Sequence, residues 1–525
     1  MTPRRALFLF LAALTVWRLI CIGQVELSPD EAYYYQWSLR PDWAYFSKGP
    51  GIAATMWLGT HLFGANEFGV RFFSPILALG TSLLMFSFGR RLFGEAVAIW
   101  AVLTINCTPI FNAGGLVMTI DPLSIFFWTA ALYTCWLALE RTGEFSPWWP
   151  ATGALIGLGF LAKYTNAMQL LSIVLFLALT PKYRSELRRP GFYAMLAVFA
   201  LFSIPPIIWN AHHDWITVTH LGARGGLHSA PRLDLIEWLT FIGVHFGVYS
   251  PLIFGSFCAA AWWGVKKARM HFKPRFLLAF ALPLFALYLT LSLKQAGEAN
   301  WTAPATVSLG LLAAALWVER AQEKAWARKY SVAALATGAA MSVLVVNLDL
   351  VRVAGIPLPY TLDPSDRVRG WRTTTETVEA FRQKFEAETG APVFLIADKY
   401  GTAATLAFYL REKRIEGPGH PPVYVPESMA PENEYFFWPR YDENLQLPPG
   451  TRPGEEYYTE EMGYNPFLGR TALYITDRAE QRPPSSIKRG FERTEMIACI
   501  DQTRHGLPLR QLRIFACYRY KQIEP

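Results

Sequence analysis

The sequence is poor in charge and in cysteine. Only 17% of its 525 residues are charged, against 52% that are hydrophobic, and it has six cysteines. We find no glycine-rich phosphate loop, no cysteine cluster with metal-ligand spacing and no repeat of 20–50 residues. These absences argue against P-loop nucleotide hydrolysis, a zinc-finger type of site and a repeat solenoid. The net charge of +8 does not call for nucleic acid, because basic loops that orient a membrane protein explain it.

Long apolar runs are what the sequence has instead. They recur from Ala6 to Leu350, whereas charge is concentrated in the last third. Runs of this length fit helices that cross a bilayer. The sequence therefore predicts a polytopic α-helical membrane protein with about 11 or more transmembrane helices. The predicted spans are 6–23, 68–89, 95–117, 121–139, 147–162, 164–180, 191–210, 235–263, 275–293, 301–318 and 329–349.

The basic residues predict which side each loop faces. Arg4 and Arg5 precede the first span, and the later basic clusters fall in alternate loops. Since Lys and Arg favour cytoplasmic loops, we expect the N-terminus inside and the C-terminal residues outside. Segment 48–64 is predicted to be a juxtamembrane or re-entrant helix, because counting it as a span would invert every later basic loop. We expect the first span to be an uncleaved anchor, since no small-residue cleavage site follows it.

Composition divides the chain into two predicted domains. Residues 1–350 are expected to form the membrane domain, with a juxtamembrane outer loop at 24–66. Residues 351–525 alternate helical and strand-like patterns and predict a soluble extracytoplasmic α/β domain. Cys499 and Cys517 lie on two strand-like runs of this domain. They could pair as a disulfide in an oxidising compartment or remain two free buried thiols.

An acidic pair follows the first span directly. Asp30 and Glu31 come after a Ser-Pro dipeptide and before three tyrosines, of which Tyr33 and Tyr34 are candidates for contacting a sugar or an acceptor. A carboxylate at the lipid–water boundary can accept the proton of an attacking hydroxyl or amine. The alternative is a helix start, which Ser-Pro followed by two acids also favours. Both roles can hold at once, since a cap fixes a catalytic residue rigidly.

Further polar residues fall in loops of the same predicted outer face. Asp121 begins a predicted span and could orient an acceptor or a basic partner. Lys48, flanked by glycine and proline, suits close approach to an anion such as a lipid phosphate. Helix capping and interfacial snorkelling are the ordinary alternatives for such residues. Lys163 and Arg224 are the remaining candidates for binding phosphate. The remaining candidates for contacting a sugar or an acceptor are Glu298, Asn300 and Trp301.

Five passages in order carry a resemblance to a known family. They are 30–34, 45–50, 68–72, 121–127 and 157–165, with weaker echoes at 300–304 and 370–371. Over roughly residues 1–320 the chain resembles the membrane glycosyltransferases that use polyprenyl-phosphate sugars. This is the superfamily of the protein O-mannosyltransferases and the aminoarabinose transferases.

The resemblance implies a GT-C fold with its active site at the outer membrane surface. Asp30 maps onto the family's proposed base, Lys48 onto the lysine expected to contact donor phosphate, and Asp121 onto a further acidic position near the site. The chain departs from the family in one turn, where 48–51 replaces a Pro-Pro pair by Lys-Gly-Pro-Gly. Two glycines there predict a more pliable turn.

The resemblance also implies the partners. A sugar would move, with inversion, from a polyprenyl-phosphate carrier, in bacteria undecaprenyl phosphate, to an envelope acceptor. That acceptor would be lipid A or another glycolipid, a glycan or a protein, and the protein would lie among the lipids of the bacterial inner membrane with its C-terminal domain in the periplasm. Neither the sugar nor the acceptor can be read from the sequence.

Other functions and cofactors stay open at this point. A transporter or flippase of a lipid-linked sugar would carry charge near the middle of the membrane or inverted repeats. A non-catalytic assembly protein would need only a simple anchor bundle. Polar residues gathered at one predicted surface favour the transferase. Two outer acids could share a divalent metal ion, whereas the histidines of 211–234, His228 among them, match no standard ligand set.

Overall fold

The computed structural model describes residues 1–143, 145–226, 233–443, 465–478 and 482–521. The helices are α1 (Pro3–Cys21), α2 (Pro29–Ser38), α3 (Gly51–Phe63), α4 (Glu67–Arg71), α5 (Phe73–Phe93), α6 (Glu95–Asn106), α7 (Pro109–Gly114), α8 (Ile120–Glu140), α9 (Trp148–Ala162), α10 (Met168–Leu179), α11 (Pro190–His212), α12 (Ile216–Arg224), α13 (Leu235–Tyr249), α14 (Pro251–Ala268), α15 (Phe272–Leu291), α16 (Ala303–Glu323), α17 (Ala325–Val346), α18 (Asp349–Val353), α19 (Trp371–Thr389), α20 (Tyr400–Tyr409) and α21 (Ser485–Gly490). The strands are β1 (Phe394–Ala397), β2 (Ala472–Thr476), β3 (Phe491–Arg504) and β4 (Leu507–Tyr520).

Six helical segments of the described chain are long and apolar enough to cross a membrane. A seventh results if α13 and α14, which meet at a bend of 113°, cross together. These segments are Glu67–Phe93, Ile120–Glu140, Pro190–His212, Phe272–Leu291, Ala299–Glu323 and Ala325–Val346. Each predicted span falls on one or two helices, and the predicted helix at 48–64 is α3. The total of about eleven spans stays a prediction, because α6, α9 and α10 are apolar but shorter and α1, the predicted first span, is not among the qualifying segments.

The chain divides into two compact units. The first holds Met1–Gln24 and Pro41–Asn347, and the second holds Val25–Arg40 and Leu348–Pro525. This differs from the predicted outer loop at 24–66, because α2 groups with the C-terminal residues. The domain boundary is therefore not a single point in the sequence.

Contacts within the second unit explain where α2 lies. The backbone N–H of Leu27 donates to the hydroxyl of Tyr409 at 2.7 Å, just before α2 begins. At the other end, the guanidinium of Arg40 donates to the carbonyl oxygens of Gly419 and His420. These partners lie at least 379 residues further along the chain, where no local sequence pattern could reveal them.

Helix α16 runs through the centre of the first unit. Residues 302–315 are all buried, and most of them are small, which lets neighbouring helices approach closely. By contrast, only 22% of the apolar window of α11 or of α17 is buried. Those two helices therefore present the surface expected to face lipid.

The second unit contains a four-stranded sheet of order β1-β2-β4-β3. Strands β1 and β2 pair in parallel and are fully buried, and the remaining pairs are antiparallel. His505 and Gly506 join β3 to β4 with φ of 50° and 72°. Two successive positive φ angles are typical of the tight turn that matches the twist of a β-hairpin. The predicted α/β character of this region is therefore seen in its described residues.

The register of the hairpin separates the two C-terminal cysteines. Cys499 on β3 opposes Arg513, whereas Cys517 on β4 opposes Thr494. The two positions are thus five residues apart along β3, about 17 Å at roughly 3.3 Å per residue, which is too far for a disulfide. Both cysteines are free, with Cys499 exposed and Cys517 buried. The disulfide considered from the sequence is wrong, and of these two thiols Cys517 is buried and Cys499 is not.

Candidate functional site

An ion pair joins the start of α8 to the end of α9. The Nζ of Lys163 lies 2.7 Å from Oδ1 of Asp121, and the side chains are only 8% and 16% exposed. The other oxygen, Oδ2, accepts a hydrogen bond of 2.7 Å from Nδ2 of Asn300. Because both carboxylate oxygens are already engaged, Asp121 is better suited to holding its neighbours in place than to accepting a proton. We call these three residues the acidic cluster.

Local sequence places each member of the acidic cluster at a helix end. The Oγ1 of Thr119 accepts a bond from the N–H of Asp121 and so caps α8. Lys163 is extended, with φ −148° and ψ 116°, which ends α9 and turns its side chain away from the helix. Asn300 lies in the 3₁₀ turn Ala299–Thr302 that precedes α16. Three helix ends therefore meet at one end of the first unit, as the predicted common face requires.

The turn that carries Lys48 packs against the end of α9. A Cβ on Gly49 would overlap the carbonyl oxygen of Leu161, and a Cβ on Gly51 would lie 3.0 Å from the same atom. The two glycines thus permit a close approach of one backbone to another. The structure gives them this packing role, in place of the pliable turn that the sequence predicted. The packing also brings Lys48 to the segment that ends in Lys163.

A second group of residues gathers positive charge. The ring of His220, on α12, lies 4.7 Å from that of Phe46. Burial, and the nearby charges of Lys48 and Arg224, lower the pKa of His220 to about 4. The guanidinium of Arg224 lies 5.4 Å from the ring centre of Trp301, the neighbour of Asn300. We call Lys48, His220 and Arg224 the basic cluster.

Two of the candidates in the first unit are less suited to the roles that the sequence predicted for them. Glu298 is exposed and precedes the 3₁₀ turn, where its carbonyl accepts a bond of 3.0 Å from the N–H of Trp301. Lys163 was predicted to bind phosphate, but its ammonium group is paired with Asp121. Its charge is therefore already balanced by a carboxylate of the protein.

The predicted acidic pair lies on α2, in the second unit. Glu31 is fully buried, and its Oε2 accepts bonds from both the N–H and the hydroxyl of Ser28 at 2.9 and 3.0 Å. Ser28 in turn caps the N–H of Glu31, which completes a capping box. Asp30 is partly exposed in the same turn. The capping alternative thus holds for Glu31, and its catalytic role stays a prediction.

The two predicted sugar-contacting tyrosines differ in exposure. Tyr33 is 5% exposed, and its ring centre lies 4.4 Å from that of Tyr400. Its hydroxyl accepts a bond from the N–H of Glu434 at 2.6 Å, and burial raises its pKa. Tyr33 therefore packs the second unit and is not available to a sugar, which corrects the prediction. Tyr34 is half-buried and stays a candidate.

The structure reveals a functional candidate that the sequence analysis missed. A cavity of about 240 Å³ lies beside the acidic cluster. Its polar lining includes Arg18, Ser82, Asn106, Thr119, Asp121 and Asn300, and most of the rest is apolar. The available signal was an arginine inside the first apolar run, since ionisable residues within membrane segments mark functional sites by default.

The described part of the chain holds no cluster of three or more metal ligands, and a divalent ion shared by two acids stays a prediction. Within those residues, no three side chains of His, Cys, Asp or Glu come together as ligands would. His228 lies outside the described residues.

Comparison of folds places the chain among solved membrane enzymes. ArnT from Cupriavidus metallidurans, solved in the apo state, aligns with a TM-score of 0.59 at 14% identity over 98% of both chains. The chain has the ArnT fold. The same enzyme bound to undecaprenyl phosphate aligns with a TM-score of 0.61 at 15% identity over 97% of both chains. An oligosaccharyltransferase of Archaeoglobus fulgidus aligns with a TM-score of 0.50 at 14% identity, over 77% of this chain and 61% of that one. These likenesses confirm the predicted GT-C fold.

Sequence comparisons agree with this fold. Residues 47–209 match the family of dolichyl-phosphate-mannose-protein mannosyltransferases. Lipid A galacturonosyltransferase RgtD of Rhizobium johnstonii is 27% identical over 317 residues, 60% of this chain and 65% of that protein. An undecaprenyl phosphate-alpha-4-amino-4-deoxy-L-arabinose arabinosyl transferase of Pseudomonas fluorescens is 31% identical over 183 residues, 31% of this chain and 33% of that protein. The chain thus spans less than two thirds of these curated relatives, and the resemblance predicted from its motifs is confirmed.

Proposed function

We propose that this chain is an integral membrane glycosyltransferase. It moves a sugar, with inversion, from a polyprenyl-phosphate carrier to an envelope acceptor, namely lipid A or another glycolipid, a glycan or a protein. The observation that carries the proposal is the basic cluster beside the acidic cluster and its cavity, in the fold of an enzyme solved with undecaprenyl phosphate. Such an arrangement offers cations for a phosphate and hydrogen-bonding groups for a sugar.

The basic cluster is the proposed site of the donor phosphate. The charges of Lys48 and Arg224 both lower the pKa of His220, which supports one shared position for an anion. His220 is neutral at pH 7, so it can donate a hydrogen bond without adding charge. Trp301 lies under the guanidinium of Arg224 and orients it. A phosphate bound here would have its charge balanced both before and after the sugar leaves.

The acidic cluster is the proposed site of the sugar. The carboxylate of Asp121 fixes the positions of Lys163 and Asn300 through two bonds of 2.7 Å. Groups held in this way need no rearrangement when the substrate binds, which favours the transition state. The face of Trp301 suits a sugar ring, exposed Glu298 stays a weaker candidate, and half-buried Tyr34 of the second unit is a separate one.

We retain Asp30 as the proposed base. Unlike Glu31, whose carboxylate holds the cap, Asp30 is partly exposed in the first turn of a well-capped helix. The acceptor's hydroxyl or amine would attack the anomeric carbon opposite the phosphate, and its proton would pass to the carboxylate. The bond from the anomeric carbon to the phosphate oxygen breaks, and polyprenyl phosphate leaves with the electron pair.

We propose that the chemistry takes place on the outer face of the bacterial inner membrane. The basic loops support a cytoplasmic N-terminus and a periplasmic second unit. The sugars in the names of the two relatives carry opposite charges, since galacturonic acid is an anion and 4-amino-4-deoxy-arabinose a cation. The charge of this chain's own sugar is therefore an open part of the proposal.

Transfer by the purified protein tests the proposal. Labelled polyprenyl-phosphate sugars are offered with native membrane extract, and label is followed into lipid, glycan and protein fractions. The variants are Lys48→Met and, as a matched control, Lys324→Met, which removes an exposed lysine at the far end of α16. We expect Lys48→Met to lower kcat/KM by about 10- to 150-fold, since a charged hydrogen bond contributes about 1.5–3 kcal/mol.

One result would count against the proposal, and another would count only against the role of Asp30. Wild-type protein that binds the donors tightly but transfers none would favour the transporter. A folded Asp30→Asn variant that keeps wild-type turnover would remove Asp30 from its role and leave the transferase proposal standing.

A further inference from the structure

Arg18 is a buried cation near the end of α1. It is 2% exposed, and its Nη2 donates to Oδ1 of Asn112 at 2.9 Å and to Oδ1 of Asn106 at 3.5 Å. Its Nε is fully buried and has no hydrogen-bond partner among the residues that the structure describes. Arg18 thus retains hydrogen-bonding capacity inside the protein.

No carboxylate of the described residues balances this charge. The two side chains that Arg18 contacts are neutral amides. Asp121 lines the same cavity, but its oxygens are held by Lys163 and Asn300. An uncompensated charge is costly inside a membrane protein, so such residues are expected to bind a charged or polar substrate. The missing partner of Arg18 is an anion.

The cavity gives that anion a place. With about 240 Å³ it is far larger than one ordered water needs. Gly115 makes room for the guanidinium, because a Cβ there would lie 2.8 Å from Nε of Arg18. The same cavity reaches Asp121 and Asn300 of the acidic cluster, where the sugar is proposed to lie. A group on the sugar itself can therefore reach Arg18.

We propose that Arg18 binds the carboxylate of the transferred sugar and makes the chain selective for hexuronosyl donors. The inference rests on the transferase function proposed above and assigns its class of sugar. A guanidinium matches a carboxylate with two parallel hydrogen bonds. It would repel the ammonium group of an amino sugar, and a neutral hexose would leave its charge unbalanced. The donor phosphate has cations of its own in the basic cluster.

The selectivity of variants tests this assignment. Values of kcat/KM are compared for polyprenyl phosphates that carry a hexuronate, the matching neutral hexose and a 4-amino pentose. Arg18→Met removes the charge. Arg18→Lys keeps the charge but cannot make the two parallel hydrogen bonds of a guanidinium. Asn106→Asp leaves Arg18 in place and offers it a carboxylate where the amide oxygen now lies 3.5 Å away. Arg91→Met, which removes an arginine paired with Glu140 at the protein surface, is the control.

We expect wild type and Arg91→Met to prefer the hexuronate. Arg18→Met and Asn106→Asp should lower the ratio of hexuronate to neutral hexose by about 10- to 100-fold, with Arg18→Lys between them and wild type. Asn106→Asp still tests the assignment if Arg18→Met does not fold. An equal loss with all three donors would overturn the assignment, since Arg18 would then serve the carrier phosphate or the fold alone. A wild-type protein that shows no preference for the hexuronate donor would also overturn the assignment.

A binding measurement separates this inference from the proposed function. Free hexuronate should protect the wild-type protein against thermal unfolding more than the neutral hexose does, and Arg18→Met should lose that difference. If no donor is turned over but this protection is seen, the transferase proposal fails and the Arg18 site stands. If transfer occurs without selective protection and with an unchanged donor ratio in the variants, the Arg18 site fails and the transferase stands.

Discussion

Asp121 and Lys163 form a largely buried ion pair of 2.7 Å across 42 residues of sequence. Each lies at a helix end, and the carboxylate is shared with the amide of Asn300. The pair ties the start of α8 to the end of α9 and sets the geometry of the acidic cluster. Its loss should therefore be seen both in stability and in activity.

Removing one partner of this pair should destabilise the protein. Lys163→Met leaves Asp121 as a buried charge without a cation, and we expect it to lower the free energy of unfolding by about 3 kcal/mol. The double variant Asp121→Asn with Lys163→Met should regain much of that stability but not the activity. Thermal unfolding in detergent, with transfer assays in parallel, measures both. Additive losses in the double variant would show that the two side chains are not coupled.

A single methyl group at position 49 should disturb the Lys48 turn. In Gly49→Ala the new Cβ overlaps the carbonyl oxygen of Leu161, so the turn must move away from α9. We expect a lower unfolding temperature and weaker donor binding. Gly243→Ala is the matched control, because its Cβ would meet no atom within 4 Å and alanine favours a helix. Equal behaviour of the two variants would contradict the packing role of Gly49.

His220 should make the protein sensitive to acid. Its pKa is about 4 in the folded state and 6.5 as an ordinary value, so the unfolded state binds more protons between these limits. Stability from this group is present above pH 6.5 and is lost as the pH falls towards 4. The unfolding temperature of His220→Gln should therefore fall less between pH 7 and pH 5 than that of wild type. A larger fall in the variant would mean that His220 is protonated in the folded protein.

Glu427, in the second unit, should make the protein less stable as the pH rises, which is the opposite of the effect of His220. Burial raises its pKa to about 7 from 4.5, and its Oε1 accepts a bond of 2.7 Å from the hydroxyl of Tyr520. Here the folded state holds the proton more tightly, so its stability contribution is present below pH 4.5 and is lost as the pH rises through 7. We expect Glu427→Gln to raise the unfolding temperature at pH 8 and to change it little at pH 5. A variant that is less stable at pH 8 would show that the carboxylate is needed in its charged form.

The sequence predicted a common face for Asp121, Lys163 and Asn300 because their positions obey a simple rule. Each lies at a helix end, and alternate loops of a helical bundle share one face. The GT-C fold was expected from the family resemblance that the five ordered motifs carry, and the apolar runs predicted only a helical membrane protein. The span count could not be settled, because α6, α9 and α10 are apolar but shorter than a full membrane span.

Other features depend on partners that are distant in sequence. The burial of Tyr33 follows from its contact with Tyr400 and Glu434, which no local pattern of α2 reveals. Separation of Cys499 from Cys517 is a matter of strand register, which two strand-like runs alone do not specify. Arg18 was hidden because one charge inside a long apolar run barely changes its mean hydropathy.

The fate of the bond between sugar and phosphate tests the central claim most directly. The purified protein is placed in lipid vesicles with a donor labelled in both the sugar and the carrier, together with native membrane extract as acceptor. We predict one free polyprenyl phosphate for each sugar transferred, and the inverted anomer in the product. A donor that crosses the bilayer with its sugar–phosphate bond intact, and with no polyprenyl phosphate released, would contradict the account and identify a transporter.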